Sequence, residues 1–226
     1  MKIIFNTIKL LRPRQWIKNF AVFAAIVFSG ELFNSLVFEK VLLGFFALCA
    51  VSSATYIVND ILDAKSDRLH PFKKFRPIAH GDVPVIFACL IAVLLVILAL
   101  YVAIHSITIT FFLTIIFYLF LQALYSFFLK EVAVADILII ATGYILRVYA
   151  GEFASGFHIS VWMLLTVISL SLFLAVGKRR SELTLVSEIK DANIANIRKA
   201  LSHYSERLLD VYATIFATST FIFYSL

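Results

Sequence analysis

A chain of 226 residues of which 62% are hydrophobic cannot cover a water-facing surface, since soluble domains carry about 45–50% apolar residues. The mean hydropathy is +0.97 and the formal net charge is +6. That charge lies between apolar blocks, which points it at a membrane surface and away from a nucleic-acid partner. Cys49 and Cys89 both fall inside apolar runs, without metal-ligand spacing, and read as small core residues. Residues 1–18 are basic and amphipathic and lack the apolar core and small-residue cleavage site of a signal peptide.

The apolar blocks have the length that crosses a bilayer and predict about seven spans, near residues 20–38, 41–59, 84–104, 107–128, 134–153, 160–177 and 208–226. The fold class is therefore all-α, a polytopic transmembrane helical bundle forming a single integral-membrane domain over residues 1–226. The connections alternate in character. Lys2, Lys9, Arg12, Arg14 and Lys18 precede the first span; Lys65, Arg68, Lys73, Lys74 and Arg76 follow the second; Lys130 follows the fourth; Lys178, Arg179, Arg180, Lys190, Arg198, Lys199 and Arg207 follow the sixth. The other loops hold only Lys40. By the positive-inside rule the basic set is cytoplasmic. Two long loops, residues 59–82 and 178–207, occupy equivalent positions after spans two and six and hint at an internal duplication. In the second, Ile194, Ile197, Leu201, Tyr204 and Leu208 recur at helical spacing and predict an interfacial amphipathic helix.

The strongest chemical signal is Asn59, Asp60, Asp63 and Asp67, where span two meets the cytoplasm. On a helix these residues share one face. Like charges so close repel, and acids at a helix C-terminus oppose its dipole, so a cation belongs among them. Hard oxygen donors of this kind suit Mg²⁺, which binds through a few carboxylates plus substrate phosphates. The next stretch, residues 70–81, carries Lys73, Lys74 and Arg76 in a turn shaped by Pro71, Pro77 and Gly81, with His70 and His80 shaping it locally. Metal on one side and cations on the other is a clamp for a diphosphate. Before span one, Trp16 reads as an interfacial anchor, and Lys18 suits equally a phosphate ligand and a snorkelling anchor. After span four come Tyr125 and Lys130, then Asp136 at the head of span five. Arg147 lies about three turns further, roughly 16 Å deeper on nearly the same face. An arginine inside a span costs about 2.5–3.5 kcal/mol by insertion scales, which favours an inward-facing Arg147 over one snorkelling outward. Lys178 and Arg179 suit either a helix C-terminus or a second phosphate site.

Together these residues resemble the UbiA superfamily of intramembrane prenyltransferases. Residues 59–67 are similar to its first acidic motif, and Tyr125 with Lys130 to its tyrosine–lysine element. One branch, the polyprenyl-phosphate phosphoribosyltransferases, is the better match. It shows Arg-Pro-x-Gln-Trp-x-Lys-Asn, as at residues 12–19; His-Pro-x-Lys-x-Phe-Arg-Pro-Ile-Ala, as at residues 70–79; and Gly-Lys-Arg, as at residues 177–179. The resemblance covers nearly the whole chain. Aromatic prenyltransferases of the superfamily carry a second acidic motif after span six. Here that place is residues 177–182, with Glu182 its only acid, which argues against two-sided metal capture of a prenyl diphosphate. The resemblance also implies nine helices. This chain supplies about seven, so the last two of the pattern, with part of the lipid groove, lie outside it.

The resemblance implies transfer of a 5-phosphoribosyl group from phosphoribosyl diphosphate to a polyprenyl phosphate at the cytoplasmic face of a cell membrane. Mg²⁺ would be held by Asn59, Asp60, Asp63 and Asp67, with the three aspartates catalytic through it. Lys73, Lys74 and Arg76 would hold phosphates. Lys18, Lys130, Lys178 and Arg179 are candidates for the lipid phosphate and the 5-phosphate, and Tyr125, Asp136 and Arg147 for further site residues. Three alternatives stay open: an aromatic prenyltransferase using a prenyl diphosphate, a transporter or non-catalytic lipid-binding protein, and an inactive, truncated relative. Broken helices and mid-span polar residues would mark a transporter, and this sequence has few of either. No oligomer signal is readable. A reporter fused near Asp82 or Arg198 is expected to label as cytoplasmic and one near Phe157 as external; opposite labelling would invert the orientation.

Overall fold

The computed structural model describes residues 2–69, 72–129, 132–188 and 203–226. Among them every regular element is helical. α1 is Lys2–Leu11, followed by a 3₁₀ segment, Pro13–Phe23, and the short α2, Ala24–Phe28. α3 is Ser35–Leu62, α4 Ala64–Leu69 and α5 Pro77–His80, with a 3₁₀ turn at Lys73–Phe75. α6 is Val85–Val102 and runs on through a π turn, Ala103–Ile107. α7 is Ile109–Phe127, α8 Ala135–Ser155, α9 Val161–Glu188 and α10 Glu206–Ser225. Six helices among the described residues are long and apolar enough to cross a membrane: α3, α6 with its π turn, α7, α8, α9 through Leu185, and α10.

The expected first span, 20–38, is not one α-helix, which corrects the count of about seven. α2 ends in a Schellman motif. Gly30 takes φ 78°, its N–H donates to the Val27 carbonyl at 3.3 Å, and Glu31 N–H donates to the Ile26 carbonyl at 3.0 Å. Both bonds satisfy carbonyls that the helix end would leave open. The chain then turns, and α3 starts afresh after Asn34. Apolar content carried the expected span across Gly30 and Asn34, which are stop and start signals.

Contacts divide the chain into two compact units, Met1–Leu119 with Tyr149–Phe157, and Phe120–Val148 with His158–Leu226. α3 is the central post of the first. Buried side chains make up 67% of its membrane window, against 17% for α6. Small residues on α3, among them Gly44, Ala47, Cys49, Ser52, Ser53 and Ala54, are buried and let neighbours approach closely. α6 presents Ala88, Ala92, Ala99 and Ala103 inward, while Leu90, Leu94, Ile97 and Leu98 stay exposed, the inverse of a water-soluble helix.

The 3₁₀ segment docks on α3 by a match of periods. Three residues of 3₁₀ helix advance about 6 Å, close to the 5.4 Å pitch of an α-helix. Successive 3₁₀ turns therefore meet successive turns of α3, running the opposite way. Trp16 Nε1 donates to Ser53 Oγ at 3.0 Å, Asn19 Nδ2 to Ser52 Oγ and Cys49 Sγ at 3.2 Å each, and the Phe20 and Phe23 rings lie tilted against Phe45. Trp16 thus makes a specific bond to α3, beyond the interfacial anchoring expected of it.

In the second unit, α9 packs along α10 around Ile137, Ala141, Ala175, Val176, Tyr204 and Leu209. Ser205 caps α10, accepting from Leu208 N–H at 3.2 Å. Arg180 clips the two helices together through Asp210 at 2.8 Å and Glu206 at 3.1 Å. Tyr204 stands outside any helix and Leu208 on α10, which corrects a continuous amphipathic helix through both; Ile194, Ile197 and Leu201 lie outside the described residues.

One contact in the first unit has no slack. A Cβ on Gly151 would sit 1.9 Å from the Val22 carbonyl oxygen, a backbone atom that cannot rotate away. Gly151→Ala is expected to cost at least about 1–3 kcal/mol, read as a lower unfolding midpoint or a fall in membrane yield. Gly177→Ala, inside α9 and with nothing within 4 Å of its Cβ, is the matched control and should leave the midpoint equal or slightly raised.

Candidate active site

Asp60 sits in the last turn of α3 and Asp67 on α4, seven residues on, so two helical turns bring both to one side. Both are buried, at 2% and 3% exposure. Two buried carboxylates this close need positive charge, and the chain supplies it twice. Arg76 Nη1 bridges them, 3.1 Å from Asp60 Oδ1 and 2.6 Å from Asp67 Oδ2. Arg12 Nη2 pairs with the same Asp60 oxygen.

Local geometry explains how each arginine arrives. Arg76 is extended, at φ −65° and ψ 141°, immediately before Pro77 opens α5. Extended backbone is what a following proline requires. Arg68 Nε donates to the Ala79 carbonyl at 3.1 Å, tying α4 to α5. Arg12 is different. It stands between α1 and the 3₁₀ segment at φ 53° and ψ 59°, left-handed, and precedes Pro13. A non-glycine residue there stores on the order of 1–3 kcal/mol of strain. Its ion pair with Asp60, and a seat 5.1 Å over the Tyr56 ring, oppose that strain.

Asn59 and Asp63, the other two expected metal ligands, are half-buried on the same stretch. Asp63 caps α3, its N–H donating to the Asn59 carbonyl at 2.9 Å. Among the described residues no three His, Cys, Asp or Glu side chains stand ready to hold an ion. The donor set nevertheless fits Mg²⁺, which is satisfied by one or two carboxylates once substrate phosphates complete its shell. One cationic nitrogen already lies within reach of both Asp60 and Asp67. Lys73 is half-buried and Lys74 exposed on the next turn, and Lys18 is half-buried on the 3₁₀ segment. Lys130 and His70 lie outside the described residues.

The second unit gathers Tyr125, Asp136 and Arg179. Arg179 and Asp136 are both fully buried, at 0% exposure. Arg179 Nε lies 2.7 Å from Asp136 Oδ2, off the N–H axis, so charge and not a directed hydrogen bond binds them. Arg179 also pairs with Glu182 and reaches the Tyr125 hydroxyl at 3.3 Å. The Tyr204 hydroxyl donates to Asp136 Oδ1 at 2.7 Å and accepts from Val134 N–H at 2.6 Å. Burial pushes the Tyr204 phenol up to about 12, with the Asp136 bond acting the same way, so it stays a neutral donor. Val134 is itself left-handed at φ 67°, an outlier for a β-branched residue. Arg179, expected to meet a substrate phosphate, thus has its charge met inside the protein, whereas Lys178 beside it is exposed. Arg147 is buried, as expected of an inward-facing cation; it bonds the Gly143 carbonyl one turn back and lies 5.7 Å from the Tyr144 ring centroid.

Sequence reasoning missed Arg12 as the partner of Asp60. The residues are 48 apart, and a left-handed arginine has no sequence signature. It also missed Tyr204, which it placed only on the apolar stripe of an interfacial helix.

Comparison with known proteins shows the family. The profile of the UbiA prenyltransferase family matches residues 19–223. A protein of Mycolicibacterium smegmatis named decaprenyl-phosphate phosphoribosyltransferase is 39% identical, covering 99% of this chain and 70% of its own length. One of the same name from Corynebacterium glutamicum is 38% identical, covering 97% of this chain and 66% of its own. This chain thus spans about two thirds of the length of those relatives. Among solved structures, a UbiA homolog from Archaeoglobus fulgidus bound to GPP and Mg²⁺ superposes with a TM-score of 0.73 at 21% identity, covering 100% of this chain and 77% of that one. At that identity it supports the fold.

Arg179→Ala would leave Asp136 buried without its counter-charge and is expected to destabilise the protein by about 3–5 kcal/mol. Replacing both, Arg179→Met with Asp136→Leu, should recover a large share of the unfolding midpoint. A single variant as stable as wild type would show that the pair holds nothing together.

Proposed function

Since the chain belongs to the UbiA prenyltransferase family, a family of multi-pass membrane transferases, we propose that it transfers 5-phosphoribosyl from phosphoribosyl diphosphate to a polyprenyl phosphate at the cytoplasmic membrane face. The observation that carries this reading is the buried Asp60–Arg76–Asp67 bridge with Arg12 beside it, in a chain 37–39% identical to proteins named for that reaction.

A phosphate oxygen of the lipid, ionised at neutral pH, attacks C1 of the ribose. The C1–O bond to the diphosphate breaks and the electron pair leaves with the diphosphate. No proton needs to be removed from the nucleophile, so the reading requires no strong general base. The work of the chain is positioning and charge neutralisation. Asp60 and Asp67, with Asn59 and Asp63 beside them, would hold Mg²⁺. When bound, Mg²⁺ supplies positive charge against the leaving diphosphate. Arg76, Lys73 and Lys74 hold diphosphate oxygens through charge-assisted hydrogen bonds. Lys18, Lys130 and the exposed Lys178 are the cations for the lipid phosphate and the 5-phosphate, and Arg179 serves that motif from its buried pair. Apolar helices around α3 suit the lipid acceptor, and the one-sided basic loops suit a soluble anionic donor.

Membranes carrying the chain, incubated with labelled phosphoribosyl diphosphate and polyprenyl phosphate, should yield lipid-extractable label. EDTA should abolish it and Mg²⁺ restore it. Asp60→Asn and Asp67→Asn should each lower the rate by about a hundredfold or more. Transfer from a labelled prenyl diphosphate to an aromatic acceptor, with none from phosphoribosyl diphosphate, would replace this reading with aromatic prenyl transfer.

A further inference from the structure

The acidic site already contains its own cations. Two buried carboxylates, Asp60 and Asp67, are matched by two guanidinium groups, and one of them bridges both acids. Asp60 Oδ1 alone receives both arginines. A bare divalent ion approaching this pair meets a site whose charge is balanced and whose nearest neighbours repel it. It would have to displace a guanidinium from the carboxylate oxygen that it pairs with.

A diphosphate changes that balance. Arg12 and Arg76 each keep 27% of the side chain exposed. A guanidinium has five N–H donors in a fork that matches phosphate oxygens, and the contacts to the carboxylates use one nitrogen of each. An incoming diphosphate can draw both arginines away from Asp60 and Asp67 while delivering a cation to them. Arg12 is poised for the exchange by its backbone, since its left-handed conformation before Pro13 is held in part by the contact that the exchange releases.

We infer that Arg12 and Arg76 are internal counter-cations of the acidic pair, and that a divalent metal enters this site as its diphosphate complex and not as the free ion. This rests on the metal reading above and adds the order of entry and a role for Arg12. Arg12 contacts the metal-binding acid in one state and the diphosphate in the other.

The test is equilibrium dialysis of the full chain in zwitterionic nanodiscs against Mn²⁺ at fixed free concentration, with and without inorganic diphosphate, reading metal retained per protein. Wild type should bind Mn²⁺ at least about tenfold more tightly with diphosphate present, the worth of one charged hydrogen bond. Arg12→Gln should bind Mn²⁺ without diphosphate about tenfold better than wild type does, because Asp60 loses one of its two partners. Arg12→Lys keeps the charge and should behave as wild type. Equal wild-type affinity with and without diphosphate overturns the inference and leaves the metal reading standing. So does diphosphate-free binding in Arg12→Gln that matches wild type. No metal retained under any condition overturns both. Should Arg12→Gln fail to fold, Arg76→Gln, which releases the same Asp60 oxygen, is read in its place with the same two outcomes.

Discussion

Negative charge buried in the fold has to be met on the spot, because burial takes it away from water. Asp60 and Asp67 impose that constraint on the first unit, and much of its local structure answers it. The break between α3 and α4 at Asp63, the extended backbone at Arg76 and the left-handed Arg12 all bring charge to these two acids. Asp136 imposes the same constraint on the second unit, where Arg179, Glu182 and Tyr204 answer it. In both units a non-glycine residue in the left-handed region stands beside the buried acid, Arg12 in one and Val134 in the other. Backbone strain next to buried charge is what an over-determined polar cluster can hold in place.

The apolar framework serves these clusters by bringing backbones close. Gly151 against Val22, and Gly44 with Phe111 over it, let helices and the 3₁₀ segment approach to distances that side chains forbid. Lipid offers no hydrophobic drive for helices to associate, so close packing and interhelical hydrogen bonds must supply it. The bonds from Trp16 and Asn19 to α3 are of this kind. They set the register that carries Arg12 to Asp60, which links an N-terminal motif of modest appearance to the proposed chemistry.

The two basic motifs differ more than their composition suggests. Residues 73–76 offer a half-buried Lys73, an exposed Lys74 and an arginine at the acids. Residues 178–179 put one cation outward and one fully inward. The pair was expected to suit a helix C-terminus, but α9 runs on to Glu188, so both cations lie inside the helix, about 100° apart around its axis.

By itself the sequence determined what depends on composition and spacing. Apolar blocks long enough to cross a bilayer gave the all-α membrane class, and the seven-residue spacing of Asp60 and Asp67 put them on one side, which the turn at Asp63 between α3 and α4 preserves. Arg147 inside an apolar run pointed inward for the same energetic reason that buries it. Tertiary structure alone decided what depends on contacts distant in the chain. That Arg12 meets Asp60 follows from the docking of the 3₁₀ segment, which no local pattern encodes. Arg179 is indistinguishable from a surface cation until Asp136, 43 positions earlier, is brought against it. The run through residues 20–38 looked like a single span because hydropathy sums over a window. Two backbone hydrogen bonds at Gly30 end the helix there, and a window average does not register them.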